Sequence, residues 1–136
     1  MHKSMIYAAC CLMIVLTSCG KPEERVTEVK NGDFKIVVRS REFYHSGTVI
    51  VDVCLTEASN PKFPEKRIQC FLRGDDFSGL SVEWRSEREI EISFACGRVA
   101  SFQNYAVVSP SGSLPQEFHA ILHDRCESLL GNAPRG

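Results

Sequence analysis

The sequence predicts an all-β fold, a small antiparallel β-sandwich or barrel of about six or seven strands. From residue 33 onward, apolar residues mostly recur at every second position, which is the period of a strand with one buried face. Short segments rich in Gly, Pro, Ser and Asp separate these runs, as turns separate strands. Four cysteines lie in the same region, and an even number is typical of a small exported domain held by two disulfides.

The first predicted strands flank a proline-containing loop. The segment FKIVVR places Phe34, Ile36 and Val38 on one face. The segment TVIVDVCLTE, residues 48–57, has apolar side chains at successive positions and predicts a strand covered on both faces. The two prolines of SNPKFPEK, residues 59–66, predict a loop, after which RIQCFLR resumes the alternation as the next strand.

The clearest predicted hairpin joins the segments LSVEW and EIEISFAC. GDDFSG, residues 74–79, predicts a turn before this pair, and RSER, residues 85–88, predicts the turn within it. Leu80, Val82 and Trp84 share one face of the first strand, which predicts that Trp84 belongs to the core. The apolar residues of the second strand alternate just as cleanly with Glu and Ser, so both strands present one face to the core.

The C-terminal part is less uniform. VASFQNYAVV, residues 99–108, predicts one further strand, and SPSGSLP predicts a loop. The segment EFHAILHDRCESLL fits a strand, with Phe118, Ala120 and Leu122 on one face, but its apolar spacing also fits a helix. We expect a strand through about His123, followed by a short helical or irregular tail.

The positions of the four cysteines favour one of the three ways of pairing them. Cys54 and Cys70 lie equally far from the centre of the proline-containing loop, and residues equidistant from a turn face each other across a hairpin. Cys96 and Cys126 lie almost equally far from the centre of the SPSGSLP loop. The predicted disulfides are therefore Cys54–Cys70 and Cys96–Cys126, each stabilising the fold by about 3 kcal/mol in the loop-closure model.

The N-terminal segment MIYAACCLMIVL, residues 5–16, fits the apolar region of a signal peptide and is too short to span a bilayer. The sequence Leu16-Thr17-Ser18-Cys19 ends this run and resembles the lipobox of bacterial lipoproteins. The resemblance implies that Cys19 carries acyl chains such as palmitate and becomes the first mature residue, anchoring the chain to a membrane. Because Gly20 follows rather than Asp, the resemblance implies the outer membrane, facing the periplasm.

This interpretation divides the chain into four parts. They are a signal peptide (1–18), a lipidated cysteine with a flexible tether (19–32), a single β domain (33–130) and a disordered tail (131–136). Removal of 18 residues from 136 leaves 118, enough for one domain with a modest core. The net charge of −1 gives no strong field that would attract nucleic acid, so we expect no nucleic-acid partner.

Two patterns bear on chemistry. His119, His123 and Cys126 are spaced as HAILHDRC and are the candidate ligands of a metal site. No CxxC pair occurs, so histidines beside a structural disulfide are the simpler interpretation, and we expect no metal or other cofactor. The serines of SPSGSLP near His119 are candidate nucleophiles, but no G-x-S-x-G motif is present, and we expect neither catalytic residues nor a small-molecule substrate.

The loop SPSGSLP is the candidate partner-binding site, consisting of Ser109, Pro110, Ser111, Gly112, Ser113, Leu114 and Pro115. Its serines and glycine resemble the inhibitory loops of periplasmic lysozyme inhibitors, although the aromatic and basic residues that accompany those loops are missing. The sequence thus predicts a lipid-anchored protein-binding module, an inhibitor or immunity protein against a periplasmic hydrolase or toxin. An accessory subunit of an envelope or secretion assembly is the alternative, and a metal-binding or hydrolytic protein is the third hypothesis.

Overall fold

The computed structural model describes residues 23–61, 68–110 and 113–126. Most of these residues lie in nine strands: β1 (Glu23–Asn31), β2 (Phe34–Phe43), β3 (Thr48–Glu57), β4 (Gln69–Ser78), β5 (Ser81–Trp84), β6 (Glu89–Phe94), β7 (Cys96–Phe102), β8 (Tyr105–Val108) and β9 (Gln116–Asp124). Within this part of the chain, no helix is long and apolar enough to cross a bilayer.

Some predictions concern segments outside the described residues. These are the signal peptide (1–18), the lipidated Cys19, the disordered tail (131–136) and all but the first residues of the tail expected after His123.

The nine strands form two sheets packed face to face, which confirms the predicted all-β sandwich. The five-stranded sheet has the order β1-β2-β3-β4-β7, and all its neighbours are antiparallel. The four-stranded sheet has the order β5-β6-β9-β8, in which β6 and β9 run parallel. The strand count in the described residues exceeds the predicted six or seven. The parallel pair also differs from the predicted antiparallel fold. Apolar alternation shows which face of a strand is buried but not the direction in which the strand runs, so it could not predict this pair.

The core lies between the two sheets. Its buried members come from strands of both sheets: Phe34, Ile36, Val51, Val53, Leu55, Phe71, Leu72, Ile90, Ile92, Ala106, Val108, Phe118 and Ala120. The rings of Phe34 and Phe118 meet edge to face across the sheets, with centroids 4.7 Å apart. Because Phe118 and Ala120 face the core from β9, the strand interpretation of this segment is confirmed and the helical one is wrong.

The prediction of a flexible tether over 19–32 is wrong for its second half, because Glu23–Asn31 is strand β1, paired with β2 along its whole length. Cross-strand ion pairs stabilise this edge: Arg39 lies 3.2 Å from Glu24, and Lys35 Nζ lies 2.9 Å from Glu28. Lys35 is only 3% exposed and also donates to the carbonyl of Asn60 at 2.8 Å. The domain therefore begins at or before residue 23 rather than at residue 33.

Strand β3 is buried on both faces, as predicted. Asp52, Cys54 and Thr56 lie on the side away from the core and are almost fully buried. The Asp52 carboxylate accepts hydrogen bonds from Arg73 at 2.5 Å and from Arg41 at 3.3 Å. The two arginines thus compensate the charge of a carboxylate that is almost fully buried on the outer side of the sheet.

Residues 74–79 do not form the predicted turn, since β4 continues to Ser78 through a register shift against β7. The backbone of Asp76 has φ +53°, the left-handed conformation that a bulge requires. Asp75 and Asp76 both accept hydrogen bonds from Arg98 on β7. Asp75 and Asp76 therefore lie within strand β4, where they form ion pairs with Arg98 on the neighbouring strand, and do not form a turn.

The predicted strand over 99–108 is two strands in different sheets. The chain runs along the edge of the five-stranded sheet as β7, crosses at Gln103 and Asn104, and joins the four-stranded sheet as β8. Gln103 N–H donates to the carbonyl of Phe71 on one side, and the Asn104 carbonyl accepts from Ala120 on the other. This crossing strand closes one side of the sandwich.

The opposite side of the sandwich is closed by side chains. Trp84 Nε1–H donates to the Val29 carbonyl at 2.9 Å, and the Asn31 amide donates to the Ser86 carbonyl at 3.1 Å. The Trp84 ring also lies edge to face with Phe118, with centroids 6.2 Å apart. Trp84 therefore packs against the core, as predicted, and joins β5 to β1 through its polar atom.

Both predicted disulfides are present, Cys54–Cys70 and Cys96–Cys126. Cys54 and Cys70 are direct partners in the β3–β4 hairpin, as the equidistance argument required. Cys96 and Cys126 instead follow the parallel strands β6 and β9, so their pairing is correct but arises from a different geometry.

Candidate functional site

Four connections meet at one end of the sandwich, which we call the loop end. They are the β1–β2 turn, the segment after β3, the β5–β6 turn and the β8–β9 loop. The opposite end carries the first residue of β1 and the β2–β3 turn, since Glu23 pairs with Glu42. The described part of the chain therefore begins at the end opposite the loop end.

Two adjoining cavities form a groove across the loop end. The larger has a volume of about 500 Å³ and is lined by Gly32, Asp33, Phe34, Glu57, Ala58, Ser59, Pro110, Ser113 and Gln116. The smaller, of about 250 Å³, is lined by Asn31, Gly32, Asp33, Phe34, Glu87, Arg88 and Gln116. Phe34 is a core residue, so this end groove lies over the end of the hydrophobic core.

Backbone contacts hold the walls of the end groove in place. Gly32 has φ +60°, which allows the tight β1–β2 turn. The Asp33 carbonyl accepts a hydrogen bond of 2.7 Å from Ala58 N–H, joining this turn to the segment after β3. The Arg88 carbonyl accepts one of 2.9 Å from His119 N–H, joining the β5–β6 turn to β9. These walls are therefore fixed to the rigid sheets.

The end groove is acidic. Among the residues that the structure describes, its lining contains the carboxylates of Asp33, Glu57 and Glu87 and one cation, Arg88. None of the three carboxylates forms a salt bridge with any residue in 23–61, 68–110 or 113–126. The negative charge is therefore available to a bound molecule, and a positively charged surface is the complementary one.

The predicted partner-binding loop forms one wall of the end groove. Pro110 and Ser113 line it, and Ser113 N–H donates to the Pro110 carbonyl at 3.1 Å. Leu114 is 84% exposed and stands beside the groove, whereas Ser111 and Gly112 lie outside the described residues. An aliphatic side chain this exposed, next to a residue that lines the groove, is a candidate anchor for a protein partner.

The acidic residues of the end groove were not found from the sequence. Asp33, Glu57 and Glu87 belong to three different connections, and each looks like an ordinary polar turn residue in isolation. Only the folding of the two sheets brings them to the same end as Pro110 and Ser113. No local motif could have shown this juxtaposition.

The candidate metal ligands lie elsewhere, on the outer face of the four-stranded sheet. His119 and His123 project from this face with Ile121 between them, and the ring of His119 lies 5.8 Å from that of Tyr105. Cys126 is bonded to Cys96, so it is not available as a thiolate ligand. Over the described ranges, no group of three or more His, Cys, Asp or Glu residues is placed to hold a metal ion.

The charges on this face belong to an ion-pair network. Arg85 donates to Glu91, and this hydrogen bond lowers the pKa of the Glu91 carboxyl below its ordinary value. His123 Nε2 lies 3.8 Å from the same carboxylate. Desolvation and then the charge of Glu117 raise the pKa of the Tyr105 hydroxyl. Among the residues with described positions, neither Ser109 nor Ser113 hydrogen-bonds to a histidine, so no Ser–His pair is assembled there.

Comparisons of the chain with protein-family models, with curated proteins and with solved structures each found no match.

Proposed function

We propose that this chain is a lipoprotein anchored to the outer membrane through Cys19, and that its domain binds a periplasmic protein through the loop end. The proposed role is that of an inhibitor or immunity protein against a periplasmic hydrolase or toxin. The observation that carries the proposal is Leu114, 84% exposed on a loop that borders an acidic groove. The two features together form a surface with an apolar projection and a charged recess.

Leu114 supplies the apolar part of the contact. An exposed aliphatic side chain that enters a pocket of the partner gains binding free energy by leaving water. The loop that carries it is fixed at both ends, because Val108 and Gln116 are paired neighbours in β8 and β9. A loop held in this way loses less conformational entropy on binding than a free segment does.

The end groove supplies the electrostatic part. Three carboxylates face solvent there with one arginine, so the groove attracts a partner with a basic surface. Charge complementarity of this kind raises the association rate more than it raises the affinity, and it weakens as salt is added. The proposed partner is therefore an exported protein with basic residues around a cleft that accepts Leu114.

Site-specific photo-cross-linking in living cells tests this proposal. A photoreactive amino acid replaces Leu114 in the full-length protein, and the captured molecules are identified by mass spectrometry. The matched control carries the same amino acid at Ile121, which is 40% exposed on the outer face of the four-stranded sheet. We expect one basic exported protein to be captured at position 114 and not at position 121. Equal capture at both positions, or no capture at 114, would contradict the proposal.

The accessory-subunit function remains the second candidate, because β7 is an edge strand with little protection. Its residues from Arg98 to Phe102 are exposed, and Arg98 is the only charged one among them. An edge with few charges can accept a strand from another protein. The same photoreactive amino acid at Val99 tests this candidate, which predicts capture of several envelope-assembly subunits at position 99 and none at 114.

A further inference from the structure

We propose that the tip of the β2–β3 hairpin, residues 43–47, inserts its aromatic side chains between the lipid headgroups, down to the start of the acyl chains, of the membrane that holds Cys19. This second contact turns the loop end away from the bilayer. The inference rests on the lipid anchor of the proposed function, and it adds an orientation that the anchor alone does not provide.

The hairpin tip exposes two aromatic side chains. Tyr44 is 67% exposed and Phe43 is 38% exposed. Both lie where β2 turns into β3, and a turn of this kind does not itself require aromatic side chains. The turn itself is well formed: Ser46 and Gly47 N–H groups both donate to the Phe43 carbonyl, at 3.1 and 2.8 Å. The two rings therefore project from a structured tip and are not part of the core.

The tip lies where the chain enters the domain. Glu23 is paired with Glu42, the residue directly before Phe43. Cys19 precedes Glu23 by four positions, and four fully extended residues span at most about 14 Å. Acyl chains on Cys19 therefore hold Glu23 within this distance of the bilayer surface, and the hairpin tip begins one residue after the partner of Glu23. Such a short connection strengthens a weak contact between the hairpin tip and the membrane, because the anchor already holds the two close together.

Tyrosine and phenylalanine suit this position. Aromatic side chains, and tyrosine with its apolar ring and polar hydroxyl in particular, are enriched where membrane hydrocarbon meets water. The nearby charges do not favour an ionic contact, since Arg39 pairs with Glu24 and Arg41 with Asp52. We therefore expect the contact to depend on the aromatic rings and to be insensitive to anionic lipid.

The two ends of the domain are far enough apart to be distinguished experimentally. Strand β2 has ten residues, which at about 3.3 Å per residue gives roughly 30 Å between the hairpin tip and the loop end. Trp84, the only tryptophan of the chain, is the last residue of β5 and lies at the loop end. Its native fluorescence therefore reports on the end that should face away from the lipid.

The test uses full-length lipidated protein reconstituted in phosphatidylcholine vesicles that contain brominated acyl chains, which quench tryptophan at short range. The variant Tyr44→Trp adds a fluorophore at the hairpin tip, and the matched control Leu114→Trp adds one at the loop end. We expect bromolipid to quench most of the fluorescence added at position 44 and almost none of that added at 114. Replacing a third of the lipid by phosphatidylglycerol should leave the quenching at position 44 unchanged.

Flotation of the vesicles separates the two parts of the inference. If the variants float with lipid but position 44 is not quenched, or if positions 44 and 114 are quenched equally, the orienting contact is overturned while the anchor stands. If the protein does not float, the anchor and this inference fall together, whereas cross-linking through position 114 still tests partner binding. Thermal unfolding of both variants verifies that these exposed substitutions leave the fold intact.

Discussion

Cys96 and Cys126 are thirty residues apart, and the same offset relates every pair of residues in the parallel strands β6 and β9. Phe94 pairs with Asp124 at the end of that ladder, and the Phe94 carbonyl accepts a hydrogen bond from Arg125. The disulfide therefore continues the register of the two strands beyond their last pair. It joins the end of β9 to the start of β7, at the point where the chain changes from one sheet to the other.

Replacement of Cys96 and Cys126 together by Ser should lower the free energy of unfolding by about 3 to 4 kcal/mol, because the loop closed by this disulfide is long. Urea denaturation of the purified domain, followed by circular dichroism, measures the change. The double replacement of Cys54 and Cys70 by Ser is the comparison. It should cost at least as much despite its shorter loop, because Cys54 is fully buried and its replacement puts a polar hydroxyl in a site shielded from water. A smaller loss for the Cys54–Cys70 variant would contradict this ranking.

Asp52→Asn should destabilise the domain by about 2 kcal/mol, because it removes the charge that compensates two arginines on the outer face of the five-stranded sheet. The Asp52 side chain is only 2% exposed, so water cannot replace the lost interaction. Asp75→Asn, at the more exposed pair with Arg98, is the matched control and should cost less. Equal losses for the two variants would show that burial does not determine the contribution of these ion pairs.

The Arg85–Glu91 pair should make stability depend on pH in the acid range. Because the folded-state pKa of Glu91 lies below its unfolded-state value, the pair stabilises the fold above the unfolded pKa of about 4.3, and this contribution is lost as the pH falls through the folded pKa. The variant Glu91→Gln lacks the contribution at every pH. The stability difference between wild type and variant should therefore be constant from pH 6 to 5 and shrink below about pH 4, as measured by urea unfolding at each pH. A difference that grows on acidification would have the wrong sign.

Leu114→Ala should weaken binding of the partner captured through position 114 by about tenfold or more, mainly by faster dissociation. Neutralising the end groove, with Asp33→Asn, Glu57→Gln and Glu87→Gln combined, should instead slow association and flatten its dependence on salt. Surface plasmon resonance at several salt concentrations distinguishes the two effects. Ile121→Ala is the control and should change neither rate. If the two sets of substitutions affected the same rate, the division into an apolar anchor and a charged recess would be wrong.

Much of the fold could be predicted because its signals are local. The β5–β6 hairpin follows from clean alternation on both sides of four polar residues, and the pairing of Cys54 with Cys70 follows from their distance to one loop. Strand β1 was missed for a physical reason. Its alternating side chains are mostly charged, and it is stabilised by ion pairs such as Glu28–Lys35 whose partners lie on the next strand, so apolar periodicity does not show it.

The candidate site was predictable only in part. The loop at 109–115 could be recognised from its Ser, Gly and Pro content, and the structure places two of its residues, Pro110 and Ser113, in a groove. The groove itself depends on where distant turns meet. Asp33 and Glu87 are 54 positions apart in the chain, and only the closure of β1 against β5 brings them to one end of the sandwich.

Strand β1 also determines how the domain would respond to mechanical load. Its nine residue pairs with β2 begin at Glu23, so a pull between the N terminus and a partner held at the loop end acts along the strand axis. The hydrogen bonds of an antiparallel pair lie perpendicular to the strands, and a force in this direction shears the whole ladder at once instead of opening it pair by pair. If the domain were pulled between the membrane and a partner bound at the loop end, the force would act on the β1–β2 ladder in the direction in which that ladder resists rupture best.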